Sequence, residues 1–162
     1  IAEDYYFWVQ VIQLCKIQNL SNILLKVRVH EGNTSTKYKN IQDESSLKCK
    51  LKMLSYIDVE STGMVKKQLG SLSVKCNRRI IEDLYNIDCL FKEILQKNGK
   101  LQFFNHAKLK RELGRRFFYA CFYLGKYGTV VRQLYHKSIL SCLYKPNLII
   151  QSLFYVRTLL KI

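Results

Sequence analysis

Apolar residues return every three or four positions through most of the second half of this chain, and almost nothing interrupts them. Ile80, Ile81, Leu84, Ile87, Leu90, Phe91 and Ile94 share one helical face; Leu109, Leu113, Phe117, Cys121 and Leu124 share another. One proline and seven glycines in 162 residues leave few places where a helix has to stop. A mainly α fold follows. The chain is long enough for one domain with a real core, or for one small domain and an appendage. Hydrophobic residues at 48% and aromatic ones at 12% exclude a disordered chain.

Breaks and caps divide the helical pattern. In the second half, a helix beginning at Asn77 or Arg78 runs to Lys97 and is ended by Asn98-Gly99. Asn105 caps the next helix. Gly125-Lys126-Tyr127-Gly128 makes a turn, and a further helix runs to Leu143 with Val131, Leu134, Tyr135, Ile139 and Cys142 inward. Lys145-Pro146-Asn147 separates a last helix that continues to Ile162. No internal repeat stands out.

The first half is more varied. Residues 4–17 read as a helix carrying Phe7, Trp8, Val11, Ile12, Leu14 and Cys15 at close to helical spacing. Asn19-Leu20-Ser21-Asn22 breaks it, and residues 23–29 alternate as a strand would, with Lys26 and Arg28 against Leu25, Val27 and Val29. Residues 30–36 form a polar loop, residues 38–57 a helix, and residues 58–77 a linker with Ser-Thr-Gly and Leu-Gly-Ser breaks. Ile1 in place of a methionine is expected of a fragment or a processed product.

The net charge of +15 points to an anionic partner: nucleic acid, an anionic membrane surface or a phosphorylated substrate. The charge is uneven, because Glu112 is the only acid from Lys97 onward. Arg115-Arg116-Phe117-Phe118-Tyr119, with Lys110 and Arg111 just ahead, interleaves cations with rings as a helix lying on anionic headgroups would. The same composition suits a helical bundle whose rings form its own core. Basic and aromatic residues also interleave in single-strand binders, but no recognised nucleic-acid motif is present. The six cysteines have no Cys-x-x-Cys and no regular spacing, so buried, reduced thiols in a cytosolic protein are expected. No signal peptide is visible, and the apolar stretch 146–162 is broken by Gln151, Arg157 and Lys161 short of the ~18 uncharged residues of a spanning helix.

Chemistry gathers in the first thirty-six residues. Glu3 and Asp4 precede the aromatic run Tyr5-Tyr6-Phe7-Trp8, and Arg28-Val29-His30 ends the expected strand. The residues alone admit two readings. A carboxylate at a helix start caps it and offsets its dipole; it is also a group that can take a proton from an attacking hydroxyl. An imidazole at a strand end is a hydrogen-bonded surface group or a ligand. Trp8 is a core residue or a sugar platform.

Taken together, Ala2-Glu3-Asp4-Tyr5-Tyr6-Phe7-Trp8, the short helix, the segment ending Val27-Arg28-Val29-His30 and the loop Glu31-Gly32-Asn33-Thr34-Ser35 resemble family-two inverting glycosyltransferases of bacterial surface polysaccharide (cell-envelope) pathways. The resemblance covers about the first quarter of the chain, and four separated elements occur in the family's order. It implies the C-terminal, acceptor-side part of a GT-A-like α/β domain (residues 1–57), which the linker 58–77 and a basic helical tail (residues 78–162) then follow. It implies transfer of a sugar from a nucleotide donor to a glycan or lipid-linked hydroxyl with inversion. Asp4 would be the base, Glu3 its support, and His30 the contact to a metal-diphosphate, with Trp8 and Arg28 shaping the site. The intact enzyme would use Mg2+ or Mn2+; no ion is expected on this part alone, which lacks the family's donor half and its Asp-x-Asp. Such an enzyme works in the cytoplasm, peripherally on the inner face of the membrane. Without the family's sheet beneath it, apolar surface around Phe7, Val11 and Leu25 is expected to stand exposed. The alternative is a non-enzymatic basic helical module that binds anionic membrane or nucleic acid.

Overall fold

The computed structural model of the protein describes residues 3–26, 38–72 and 80–161. Its elements are helices α1 (Glu3–Val11), α2 (Lys39–Ser55), α3 (Gly63–Ser71), α4 (Ile81–Leu101), α5 (His106–Tyr123), α6 (Thr129–Lys137) and α7 (Leu148–Leu160). Two 3-10 turns, Gly125–Tyr127 and Ile139–Cys142, flank α6. No strand occurs among the described residues, so the mainly α expectation holds. The chain divides into two compact units, Ile1–Met53 and Leu54–Ile162.

The first unit is sparse. Helix α1 stops at Val11, six residues before the expected end, and runs into a turn. Its buried residue is Val9, which the apolar spacing had not singled out. Residues 23–26 are irregular rather than a strand, and the rest of that expected strand lies outside the described residues. A strand needs a neighbour to take up its backbone N–H and C=O groups, and none is described here. Phe7 and Leu25 are exposed and Val11 is half-buried.

The second unit holds most of the core. Part of the stretch read as a linker is helix α3, which packs on α4. Thr62 starts it by accepting a hydrogen bond from Val65 N at 3.2 Å. Helix α4 begins where Asp83 Oδ2 accepts the backbone N–H of Ile80 at 3.0 Å. It does not end at Asn98-Gly99. Asn98 is fully buried and turns inward; Nδ2 donates to Phe104 O at 3.0 Å and Oδ1 accepts Phe104 N at 2.8 Å. The helix continues to Leu101, and Gln102, with a left-handed backbone (φ 52°), forms the C-cap. The expected terminator therefore pins the α4–α5 loop from inside the helix.

Helix α5 starts at the expected Asn105 cap, where Oδ1 accepts Lys108 N at 3.0 Å. The next expected helix breaks early. Ser138 is extended, accepts Leu140 N at 3.1 Å, and donates its own hydroxyl to Asp88 Oδ1 on α4. Lys92 Nζ holds the other Asp88 oxygen at 2.6 Å. This buried knot stops α6 at Lys137 and shifts the register, so Leu140 is buried and the expected core residue Ile139 is exposed. The close approach of α5 to the second 3-10 turn requires Gly114: a Cβ there would stand 2.9 Å from Leu143 Cβ and 3.1 Å from Leu140 O.

An aromatic cluster closes the unit. Phe118 of α5 meets Phe154 of α7 at 5.4 Å and Tyr135 of α6 at 5.6 Å, both edge-on, and Tyr135 meets Phe154 at 5.5 Å. These T-shaped contacts set positive ring edges against negative faces, each adding about 0.5–1.5 kcal/mol beyond area burial. Burial also pushes the Tyr135 phenol up to about 12.

Candidate functional site

Glu3 and Asp4 occupy the first turn of α1, where the helix dipole favours carboxylates. Both side chains are exposed. Asp4 Oδ1 accepts the backbone N–H of Tyr5 at 2.8 Å, which leaves Oδ2 as the oxygen able to receive a proton. The Asp4 charge reaches Cys49 of α2: burial first, and then the Asp4 carboxylate, raise the Cys49 thiol above its ordinary value. Tyr5 Oη approaches Met53 Sδ at 3.9 Å and joins α1 to α2 within the first unit. Trp8 is half exposed, with the Phe7 ring edge-on to it at 5.2 Å and 71°. Arg28 and His30 lie outside the described residues; of the expected set Glu3, Asp4 and Trp8 are described, all on α1 and all exposed.

Among the described residues no group of three His, Cys, Asp or Glu side chains is placed to hold a metal ion. Glu3 and Asp4 by themselves do not make the donor set that a divalent cation needs.

The expected anion contacts lie on α5. Arg115 makes a two-pronged pair with Glu112, Nε to Oε2 at 2.9 Å and Nη2 to Oε1 at 2.9 Å. Arg116 Nε adds a bond to Oε1 at 2.7 Å. Hydrogen bonds from Arg115 hold the Glu112 carboxyl below its ordinary range against the opposing effect of burial. One carboxylate thus partly neutralises both guanidinium groups, and Arg115 also lies over the Tyr119 ring at 6.0 Å. Lys110 and Arg111 are exposed.

Sequence reasoning did not anticipate a cleft of about 330 Å³ between α3 and α4. Glu60, Thr62, Gln68, Cys89, Glu93 and Lys97 give it its polar lining. Lys97 donates to the Asp58 carbonyl at 2.8 Å, and Thr62 caps α3. These groups secure the loop ahead of α3. Gln68 Oε1 is buried without a hydrogen-bond partner. The signal in the sequence was the Ser-Thr-Gly run, a helix start that reads equally as a break.

The cysteines divide. Cys49 and Cys121 are buried, whereas Cys15, Cys89 and Cys142 are exposed; no disulfide joins them, and Cys76 lies outside the described residues. Burial was expected of most of them. The exposed positions belong to the turn after α1, the α4 wall of the cleft and the shifted 3-10 turn, none of which the apolar spacing resolved. No helix among the described residues is long and apolar enough to cross a membrane.

Comparison with known proteins gives one informative likeness. The chain is 31% identical over 87 residues to a Haemophilus influenzae protein named "Uncharacterized glycosyltransferase". The matched stretch is 54% of this chain and 24% of that protein, so the chain spans about a quarter of its relative's length. No family model matches, and no solved structure matches. The likeness supports a glycosyltransferase relationship.

Proposed function

We propose that this chain is the acceptor-side portion of an inverting glycosyltransferase that moves a sugar from a nucleotide donor to a hydroxyl on a glycan or lipid-linked acceptor. The observation that carries the reading is the 31% identity to a protein named a glycosyltransferase. The exposed carboxylate pair at the start of α1, and the half-exposed Trp8 on the same helix, support it.

The roles follow from chemistry. The acceptor hydroxyl becomes a stronger nucleophile as its proton passes to Asp4 Oδ2, the oxygen not held by Tyr5 N–H. Glu3, one residue earlier, orients the acceptor by accepting from a neighbouring hydroxyl. Trp8 gives the sugar ring an apolar face, and Arg28 shapes the site behind it. Attack opposite the leaving group forms the new C–O bond as the bond to the nucleoside diphosphate breaks, and the configuration inverts. Charge builds up on the departing diphosphate, and His30 is the residue assigned to that side.

The test is transfer of labelled sugar from a panel of nucleotide sugars to membrane glycolipid by the protein as expressed from its gene. Asp4→Asn is expected to lower kcat by about 10²–10⁴-fold with little change in KM, the range typical of losing a general base. Transfer that survives Asp4→Asn unchanged would remove the assignment.

A further inference from the structure

Helix α7 is apolar on two sides, and the fold uses one of them. Phe154 and Thr158 face inward, with Phe154 entering the aromatic cluster and Thr158 Oγ1 donating back to Phe154 O at 3.0 Å. On the other side stand Leu148, Ile149, Leu153, Val156, Leu159 and Leu160, all exposed, from 45% at Val156 to 81% at Leu148. At 3.6 residues per turn these six side chains fall within a sector of about 140°, with Ser152 the only polar residue among them. A stripe of this length and continuity is unusual on a solvent-facing helix.

The charge around the stripe selects its partner. Lys145 precedes the helix and Lys161 follows it, both exposed. Lys161 lies over Gly128, where a Cβ would stand 3.3 Å from its side chain. Arg157 lies within the helix, packed over the Phe122 ring at 4.9 Å. Arg132 of α6, which packs against α7, sits over the Tyr155 ring at 5.8 Å. No Asp or Glu occurs anywhere in residues 113–161. A second copy docked here would set like charges against each other. An apolar stripe bordered by cations matches the boundary between acyl chains and anionic headgroups.

We infer that α7 is an in-plane membrane anchor: its Leu148–Leu160 stripe enters the acyl region of an anionic bilayer while Lys145 and Lys161 meet the headgroups. This differs from the expectation that placed the contact at Arg115 and Arg116, which are engaged by Glu112. It does not depend on the transferase reading, since its test involves no sugar transfer.

The test is co-sedimentation of the 162-residue chain with vesicles of phosphatidylglycerol and phosphatidylcholine, and with phosphatidylcholine alone. Binding is expected with the anionic vesicles and is expected to weaken as salt rises. Ile149→Ser with Leu153→Ser is expected to lower partitioning at least tenfold while leaving the far-ultraviolet spectrum and melting temperature unchanged, because both side chains are exposed. Lys145→Glu with Lys161→Glu is expected to lower it on anionic vesicles only. Leu20→Ser with Leu24→Ser, in the other unit, is expected to leave it intact. Unchanged binding by the α7 double serine variant overturns the inference. So does failure of the unmodified chain to bind anionic vesicles, or a dimer that dissociates on the serine substitutions without any vesicle binding.

Discussion

In the second unit Phe118, Phe154 and Tyr135 close on one another at 5.4–5.6 Å, whereas in the first unit Leu14, Leu20, Ile23, Leu24 and Leu25 face solvent. Both regions are rich in large apolar side chains. What separates them is the number of elements available to enclose those side chains. The second unit brings α3 to α7 around shared positions, each helix contributing a stripe to a common core. The described part of the first unit has one short helix, an irregular segment and most of α2. Hydrophobicity alone does not make a core; a second surface of matching shape is also required.

The contrast predicts a ladder of mutational effects. Phe118→Ala, at the centre of the ring cluster, is expected to cost about 3–5 kcal/mol in a urea unfolding titration, because the rigid neighbours cannot fill the space left. A cost below about 1 kcal/mol would show that the second unit is as loosely packed as the first. Gly114→Ala is expected to cost about 1–3 kcal/mol by forcing α5 away from Leu143 and Leu140.

Tyr135→Phe tests the same core through pH. The free phenol titrates near 10.0 and the buried one is pushed up to about 12. The stabilisation is therefore complete below pH 10 and is lost as the pH rises from 10 towards 12, where the unfolded chain ionises first. The substitution is expected to flatten that alkaline decline in melting temperature. A decline equally steep in the variant would assign it to other tyrosines. At the bottom of the ladder, Leu24→Ser is expected to shift stability by no more than about 0.5 kcal/mol, as is usual for an exposed side chain. A larger loss would mean that the first unit has a core of its own at this position.

Several elements were legible before any coordinates. Asn105 caps α5 as its position ahead of an apolar stripe indicated, and α7 follows the break expected at Lys145-Pro146-Asn147. Leu113, Phe117, Cys121 and Leu124 are buried on the face their spacing defined. Such features are local, depending on residues within a turn or two of each other. Other readings failed because their causes are distant in sequence. The early end of α6 depends on Ser138 reaching Asp88, fifty residues away. The survival of α4 past Asn98-Gly99 depends on Phe104 satisfying the Asn98 amide. Of the candidate site, the residue types were legible at Glu3, Asp4 and Trp8, but their exposure was not.

The sequence by itself determined a mainly α chain, its strongly basic second half, most helix starts, and the carboxylate pair ahead of an aromatic run. These follow from periodicity, composition and capping, which act over short stretches of chain. Only the tertiary structure decided which apolar stripe of α7 is buried, which arginines are already paired, and which leucines stand in solvent. A helix that is apolar on two sides gives no local signal for which of them it will bury. That choice belongs to the neighbours: Phe118 and Tyr135 took the Phe154 face and left Leu148 to Leu160 facing outward.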